Sequence, residues 1–176
     1  MCSSDLFPSH DTWVEKRNAR NYKGNDTIIA HPPCRLWGRL AHMAKAPEEE
    51  KELAILSINL ARSNGGIVEH PAHSKLWTLL KLPIGNETDE WGGYTISINQ
   101  HWFGHRAEKR TFLYICGIER KKLPKMPLNF NAIEYTISTS GNKKEVTKYE
   151  RSATPIQLAK WLIETANRIE TLKKIK

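Results

Sequence analysis

Three short runs of β-forming residues, Ile28-Ile29-Ala30, Gly66-Ile67-Val68 and Tyr94-Thr95-Ile96-Ser97-Ile98, are each followed at once by a cluster of reactive side chains. The clusters are Ala30-His31-Pro32-Pro33-Cys34, Val68-Glu69-His70-Pro71 and Gln100-His101-Trp102-Phe103-Gly104-His105. The runs are too short and too β-branched for independent helices, so they are predicted to be buried strands whose last residues hold the polar groups. In an open α/β sheet the ligand crevice lies outside the carboxyl ends of the strands. Three such ends carrying a thiol, a carboxylate and most of the histidines are therefore expected to converge on one pocket.

The stretches between the runs fit that plan. Pro47 suits the first turn of a helix, Glu48-Glu49-Glu50 complement its dipole, and Asn64-Gly65-Gly66 supplies the stop, with Leu53, Leu56 and Leu60 on one face. Strand, helix, strand is the unit that builds parallel sheets. A short helix is expected within His73 to Leu82, a strand at Thr111 to Ile115 that closes an antiparallel edge hairpin with Tyr94 to Asn99, and a small peripheral hairpin from Ile133–Thr139 and Glu145–Tyr149 around Gly141-Asn142. Thr154, Pro155 and Gln157 form the start signal of a final helix with Leu158, Leu162, Ile163, Ala166 and Ile169 on its apolar face. Near the beginning, Ser3 to Ser9 is expected to be a strand end entering a loop, and Thr12 to Tyr22 a short helix or turn.

A length of 176 residues with 39% hydrophobic content suits one packed core. The expected organisation is a single α/β domain over 1–176, with a motif-bearing core at 27–117 and a peripheral hairpin and helix at 128–176. A net charge of +8 favours a polyanionic partner. Cys2, Cys34 and Cys116 show no pairing pattern, which argues for a reduced, cytoplasmic setting. No apolar stretch approaches the roughly 20 residues of a membrane span, and no hydrophobic signal region is evident, so a soluble chain without a membrane partner is expected.

Two prolines hold Cys34 in an extended approach, which presents the thiol. Glu69 ends the next strand, and a carboxyl group beside a nucleophilic thiol can act as general acid towards a ring nitrogen if burial raises its pKa. Trp37 and Trp102 adjoin the motifs, where an aromatic face could stack a base. Arg35, Arg39, Arg106, Lys109 and Arg110 should concentrate positive potential at the pocket mouth. Cys116, inside a strand, is expected to be structural.

In this order the motifs resemble the catalytic half of DNA cytosine carbon-5 methyltransferases. They are closer still to small phage-type proteins related to them, with a HPPC motif, an E-N/H-P motif and a Q-x-x-x-G-H-x-A-x-K-x-T-x-L-Y motif. Here these are His31 to Cys34, Glu69 to Pro71, and Gln100, Gly104, His105, Ala107, Lys109, Thr111, Leu113 and Tyr114. The resemblance covers about Thr27 to Gly117. It implies a mostly parallel, truncated Rossmann-like sheet with an antiparallel edge hairpin, and modification of a nucleobase in DNA or a nucleotide. Cys34 would be the nucleophile adding to carbon 6 and Glu69 the acid at ring nitrogen 3. His105 and Lys109 complete the expected catalytic set, with Arg106 or Arg110 as alternative cations. His31, Arg35, Trp37, His70, Gln100, Trp102, Arg106 and Arg110 are the expected substrate-binding residues. A phage-encoded protein would work in the cytoplasm of a host bacterium.

The family's Gly-rich loop for S-adenosylmethionine has no counterpart, though Asp5 or Asp26 could stand for the ribose-binding acid, so the sequence does not fix a cofactor. Two further readings stay open. One is a non-catalytic phage factor that binds nucleic acid or a host protein, in replication or against host defence. The other is a metal-dependent hydrolase or deaminase, in which His31, Cys34, His70, His73, His101 and His105 would supply ligands, zinc being the weaker expectation.

Overall fold

The computed structural model describes residues 18–137 and 143–175. Its centre is a four-stranded sheet of β1 (Ile28–Ala30), β2 (Gly66–Pro71), β3 (Tyr94–Asn99) and β4 (Arg110–Cys116), in the order β1-β2-β4-β3. The β1–β2 pair is parallel, while β4 runs antiparallel to both β2 and β3. The sheet is thus mixed, with one parallel pairing of three, and not mostly parallel as expected. The physical reason is the β3–β4 connection: a single 3-10 turn over Gln100–Phe103, closed by Gly104 at φ +96, is too short for a parallel crossover and returns the chain between β2 and β3.

The crossover from β1 to β2 is α1 (Glu50–Asn64). Its buried residues are Ala54, Ile58 and Ala61, where leucines 53, 56 and 60 were expected. Small side chains on this stripe bring the helix close to the sheet, and the leucines lie at its partly buried flanks. The junction to β2 is built from two glycines. Gly65 caps α1 at φ +73, and Gly66 holds φ +155 with its missing Cβ position only 2.4 Å from the Ile28 carbonyl oxygen. Only glycine lets β2 begin this close to β1.

Period-two alternation divides the sheet residues between two cores. On one face Val68, Tyr114 and Cys116 pack with Ile58 and Ala61 of α1 and with Trp77 of the single-turn α2 (Leu76–Leu79) and Leu82. On the other, Ile67, Tyr94, Ile98, Leu113 and Ile115 meet Leu158, Trp161, Leu162, Ala166 and Ile169 of α4, which follows β5 (Tyr135–Thr136), β6 (Lys144–Glu145) and α3 (Lys148–Ser152) and spans Ile156–Ile175. Burying side chains such as Leu158, Leu162 and Ile169 is worth about 1.5–3 kcal/mol each. The apolar face expected on the last helix at Leu158, Leu162, Ala166 and Ile169 thus covers one side of the sheet. The pair β5–β6 is parallel, not the hairpin expected there. The turn proposed at Gly141-Asn142, the early strand end at Ser3 to Ser9, and most of Thr12 to Tyr22 lie outside the described residues. Ala19–Asn21 forms a short 3-10 turn.

No helix among the described residues is long and apolar enough to cross a membrane.

Candidate functional site

The parallel register pairs Ala30 with Val68, so one step further along both strands brings His31 level with Glu69. Alternation sends both side chains to the α4 face, with Ile29 and Ile67 below them. There His31 Nδ1 lies 3.2 Å from Glu69 Oε2. Gln100, at the start of the turn after β3, donates from Nε2 to Glu69 Oε1 at 3.1 Å and to Thr111 Oγ1 at 3.0 Å. Thr111 shares the face of Leu113 on β4, and Gln100 is 1% exposed with its Oε1 unpaired among the described residues. The turn itself is fixed by Asn99, whose Oδ1 accepts from the backbone N–H groups of His101 and Lys109, each at 3.1 Å. Asn99 and Thr111 were absent from the expected site, although an Asn at a strand end before a tight turn is a local signal for this capping.

Charge organises the rest. Burial by itself would raise the Glu69 carboxyl, but the hydrogen bond and charge of His31, followed by the Lys109 ammonium, outweigh it and hold the group below the ordinary carboxylate range. The expectation of an acid with a raised pKa is thus corrected: the resting group is a carboxylate. The exposed Cys34 thiol is pushed up, first by the protein packed around it and then by the Glu69 charge, against its own backbone hydrogen bond and Lys109. Burial lowers Lys109, while Glu69 and Cys34 draw it back up. Cys34 in the loop after β1, Glu69 within β2 and Lys109 at the close of the β3–β4 connection therefore sit in one another's fields. The resting set is a thiol, a carboxylate and an ammonium.

The structure places other expected residues elsewhere. His70, one position beyond Glu69, points to the opposite face and is fully buried between Trp37 and Trp77, with ring centroids 6.4 and 6.3 Å away. Burial lowers its pKa to about 4, despite the Glu69 charge and the Pro33 carbonyl, which faces the ring without completing a hydrogen bond of ordinary geometry. His70 is a neutral packing residue, and Trp37, 3% exposed, offers no open face for a base. Trp102 is half-buried against the α4-side core. His105 is also buried, its Nδ1 2.8 Å from the Ala107 carbonyl and its Nε2 3.2 Å from the Glu150 carbonyl. His101 sets its two nitrogens against the carbonyls of His105 and Asn131 at 2.8 and 2.9 Å. Both histidines tie loops together, and His105 does not join Glu69 and Gln100 as expected.

Three of the four arginines expected at the mouth are engaged by acids, and Arg39 is exposed. Arg35 meets Glu50, Arg106 meets Glu150 at 2.7 Å and lies over the Tyr135 ring, and Arg110 meets Glu108 at 2.6 Å. These pairs offset much of the positive potential expected at the mouth, and Lys109 is the cation turned to the thiol and carboxylate. The six-residue metal set does not assemble: among the described residues no three of His, Cys, Asp and Glu could hold one ion. His31 turns to Glu69, His70, His101 and His105 are occupied inside, and His73 is exposed in the turn after β2.

At the opposite end of the sheet, Cys116 is buried with its thiol 3.1 Å from the Trp91 carbonyl. Beside it Asp89 accepts from the Tyr114 hydroxyl at 2.7 Å and from Arg62 at 3.2 Å, a structural cluster beneath Trp91.

No family model, curated protein or solved structure matches this chain.

Proposed function

We propose that the protein acts on a pyrimidine nucleobase, in DNA or as a nucleotide, through addition of Cys34, as a small relative of the cytosine carbon-5 methyltransferases. One observation carries the reading. A carboxylate, Glu69, is pinned between His31 and Gln100 where the parallel pairing of β1 with β2 ends, within the fields of a thiol and an ammonium. A carboxyl group fixed on both oxygens accepts from the exocyclic amine of a 4-aminopyrimidine and, once protonated, donates to its ring nitrogen. A thiol exposed alongside it is placed for covalent chemistry on the same ring. The truncated Rossmann-like reading of the sheet is supported by its helical crossover between parallel strands and the antiparallel pair beyond them.

In the addition the thiol proton leaves to solvent and the sulfur–carbon 6 bond forms. The carbon 5–carbon 6 electron pair moves towards ring nitrogen 3, which takes a proton delivered at Glu69. Lys109 offsets the negative charge that accompanies thiolate formation.

The described residues do not fit S-adenosylmethionine. None of β1 to β4 runs into a glycine-rich loop, and the ribose-acid candidate Asp26 is held by the Tyr22 hydroxyl, its Oδ2 3.2 Å away. Asp5 lies outside the described residues, and no step is routed through this cofactor.

The test is an oligonucleotide bearing 2-pyrimidinone in place of one cytosine, whose carbon 6 accepts a thiol readily. Intact-mass analysis should show a one-to-one covalent adduct, lost in Cys34→Ser. Absence of the adduct, with retained reversible binding, would favour the second reading: a non-catalytic phage factor that binds nucleic acid or a host protein. That reading draws on the Cys34 thiol being held protonated at rest.

A further inference from the structure

Addition to the ring requires a proton at Glu69, and the resting Glu69 is a carboxylate. Its two oxygens have different neighbours. Oε1 accepts from Gln100, an amide that surrenders no proton in the aqueous pH range. Oε2 faces His31 Nδ1 at 3.2 Å. The His31 side chain is 31% exposed against 15% for Glu69, and no partner engages its Nε2 among the described residues. His31 therefore stands between the carboxylate and water. The other groups in this field do not serve: Lys109 and Cys34 interact with Glu69 through space only, and His70 is buried on the opposite face of the sheet.

We propose that His31 is the proton store of Glu69, giving its Nδ1 proton to Oε2 when the ring nitrogen is protonated and taking it back when the adduct breaks down. The inference rests on the reading above and extends it to a positioning residue. The balance is closed. During addition the thiol releases one proton to solvent, the His31 imidazolium becomes imidazole, Glu69 passes that proton to ring nitrogen 3, and the sulfur–carbon bond forms. During elimination the ring proton returns through Glu69 to His31, the sulfur–carbon bond breaks, and the thiolate recovers a proton from solvent. The sequence HPPC places this histidine three residues before the thiol, and the parallel register fixes it against the carboxylate.

The experiment follows exchange of the carbon 5 hydrogen of a cytosine nucleotide or single-stranded oligonucleotide in deuterated water: after addition at carbon 6 the enamine takes a deuteron from solvent at carbon 5, loses the protium from the same carbon to solvent, and the thiolate then leaves. His31→Asn keeps a donor near the Nδ1 position but cannot transfer its proton. It should lower kcat about 100-fold, in the range general acid–base catalysis supplies, with KM unchanged. Imidazole added to His31→Ala should restore part of the rate. A second readout needs no turnover. At one fixed pH, Glu69→Gln should displace the His31 Nδ1 resonance in nitrogen NMR, because the carboxylate oxygen 3.2 Å away is replaced by an amide.

Exchange by wild type and His31→Asn at equal kcat overturns the inference while the addition chemistry stands. A His31 Nδ1 resonance indifferent to Glu69→Gln overturns it independently. No exchange by the wild type and no covalent adduct with the 2-pyrimidinone oligonucleotide, with the His31–Glu69 contact intact, overturns the addition chemistry and the inference with it.

Discussion

Gln100 Nε2 lies 3.1 Å from Glu69 Oε1, and the same nitrogen lies 3.0 Å from Thr111 Oγ1, so one amide ties the turn after β3 to both β2 and β4. Gln100→Leu removes these buried bonds but also removes the unpaired Oε1 acceptor. The two effects oppose, and the expected loss is about 1 kcal/mol in urea unfolding. Gln100→Glu sets a second carboxylate against Glu69 and should cost more, with the difference growing as pH rises through the carboxylate range. Equal losses at all pH values would contradict the contact.

Cys34 should alkylate before Cys116 in the native protein, since one thiol is exposed and the other buried. The rate near neutral pH should be modest, because packing and the Glu69 charge hold the thiol protonated. Glu69→Gln should speed iodoacetamide labelling of Cys34 several-fold, and Lys109→Gln should slow it. Peptide mapping after short exposure reads both. A decrease in Glu69→Gln would reverse the sign argued for this pair.

His70 makes stability depend on pH in a stated direction. Its folded pKa, about 4, lies below the ordinary 6.5, so the unfolded chain binds this proton first. Stability is fully present above about pH 6.5, falls as pH drops, and levels off below about 4, a loss of about 3 kcal/mol from this group. His70→Leu, which keeps an apolar filler between Trp37 and Trp77, should flatten that part of the profile in chemical unfolding at pH 7 and pH 4.5.

Gly66→Ala tests the junction beneath the site. A Cβ there meets a backbone carbonyl at 2.4 Å, with φ at +155, so no side-chain rotation relieves it. The expected loss is about 3 kcal/mol or more, read as a fall in Tm. Because β1 must move, the His31–Glu69 contact should loosen too, visible as a changed His31 resonance.

Much of the site was legible because strands obey parity. Reading Ile28–Ala30 and Gly66–Val68 as adjacent parallel strands is enough to bring His31 and Glu69 together, and the third motif supplied Gln100 and Lys109. The same parity separates His70 from Glu69, although neighbours in sequence were grouped as one binding cluster. His105 could not be read this way. Its Nε2 faces a carbonyl 45 residues distant, in a segment with no sequence mark of that contact. The arginines illustrate a further limit, since composition counts charge and cannot show that Glu50, Glu108 and Glu150 stand opposite Arg35, Arg110 and Arg106. The mixed sheet escaped because a strand's hydrophobic run does not encode which edge it joins.

Covering one face of the sheet with α4 has a consequence for synthesis on the ribosome. The sheet face that carries Ile67, Leu113 and Glu69 belongs to residues translated well before Leu158, Trp161 and Ile169 emerge. Until then its apolar surface has no intramolecular cover, and the nascent chain presents a sticky, half-finished layer to chaperones and to other nascent chains. Acquisition of the site is accordingly a late, post-emergence event, coupled to docking of a helix that supplies none of its reactive groups.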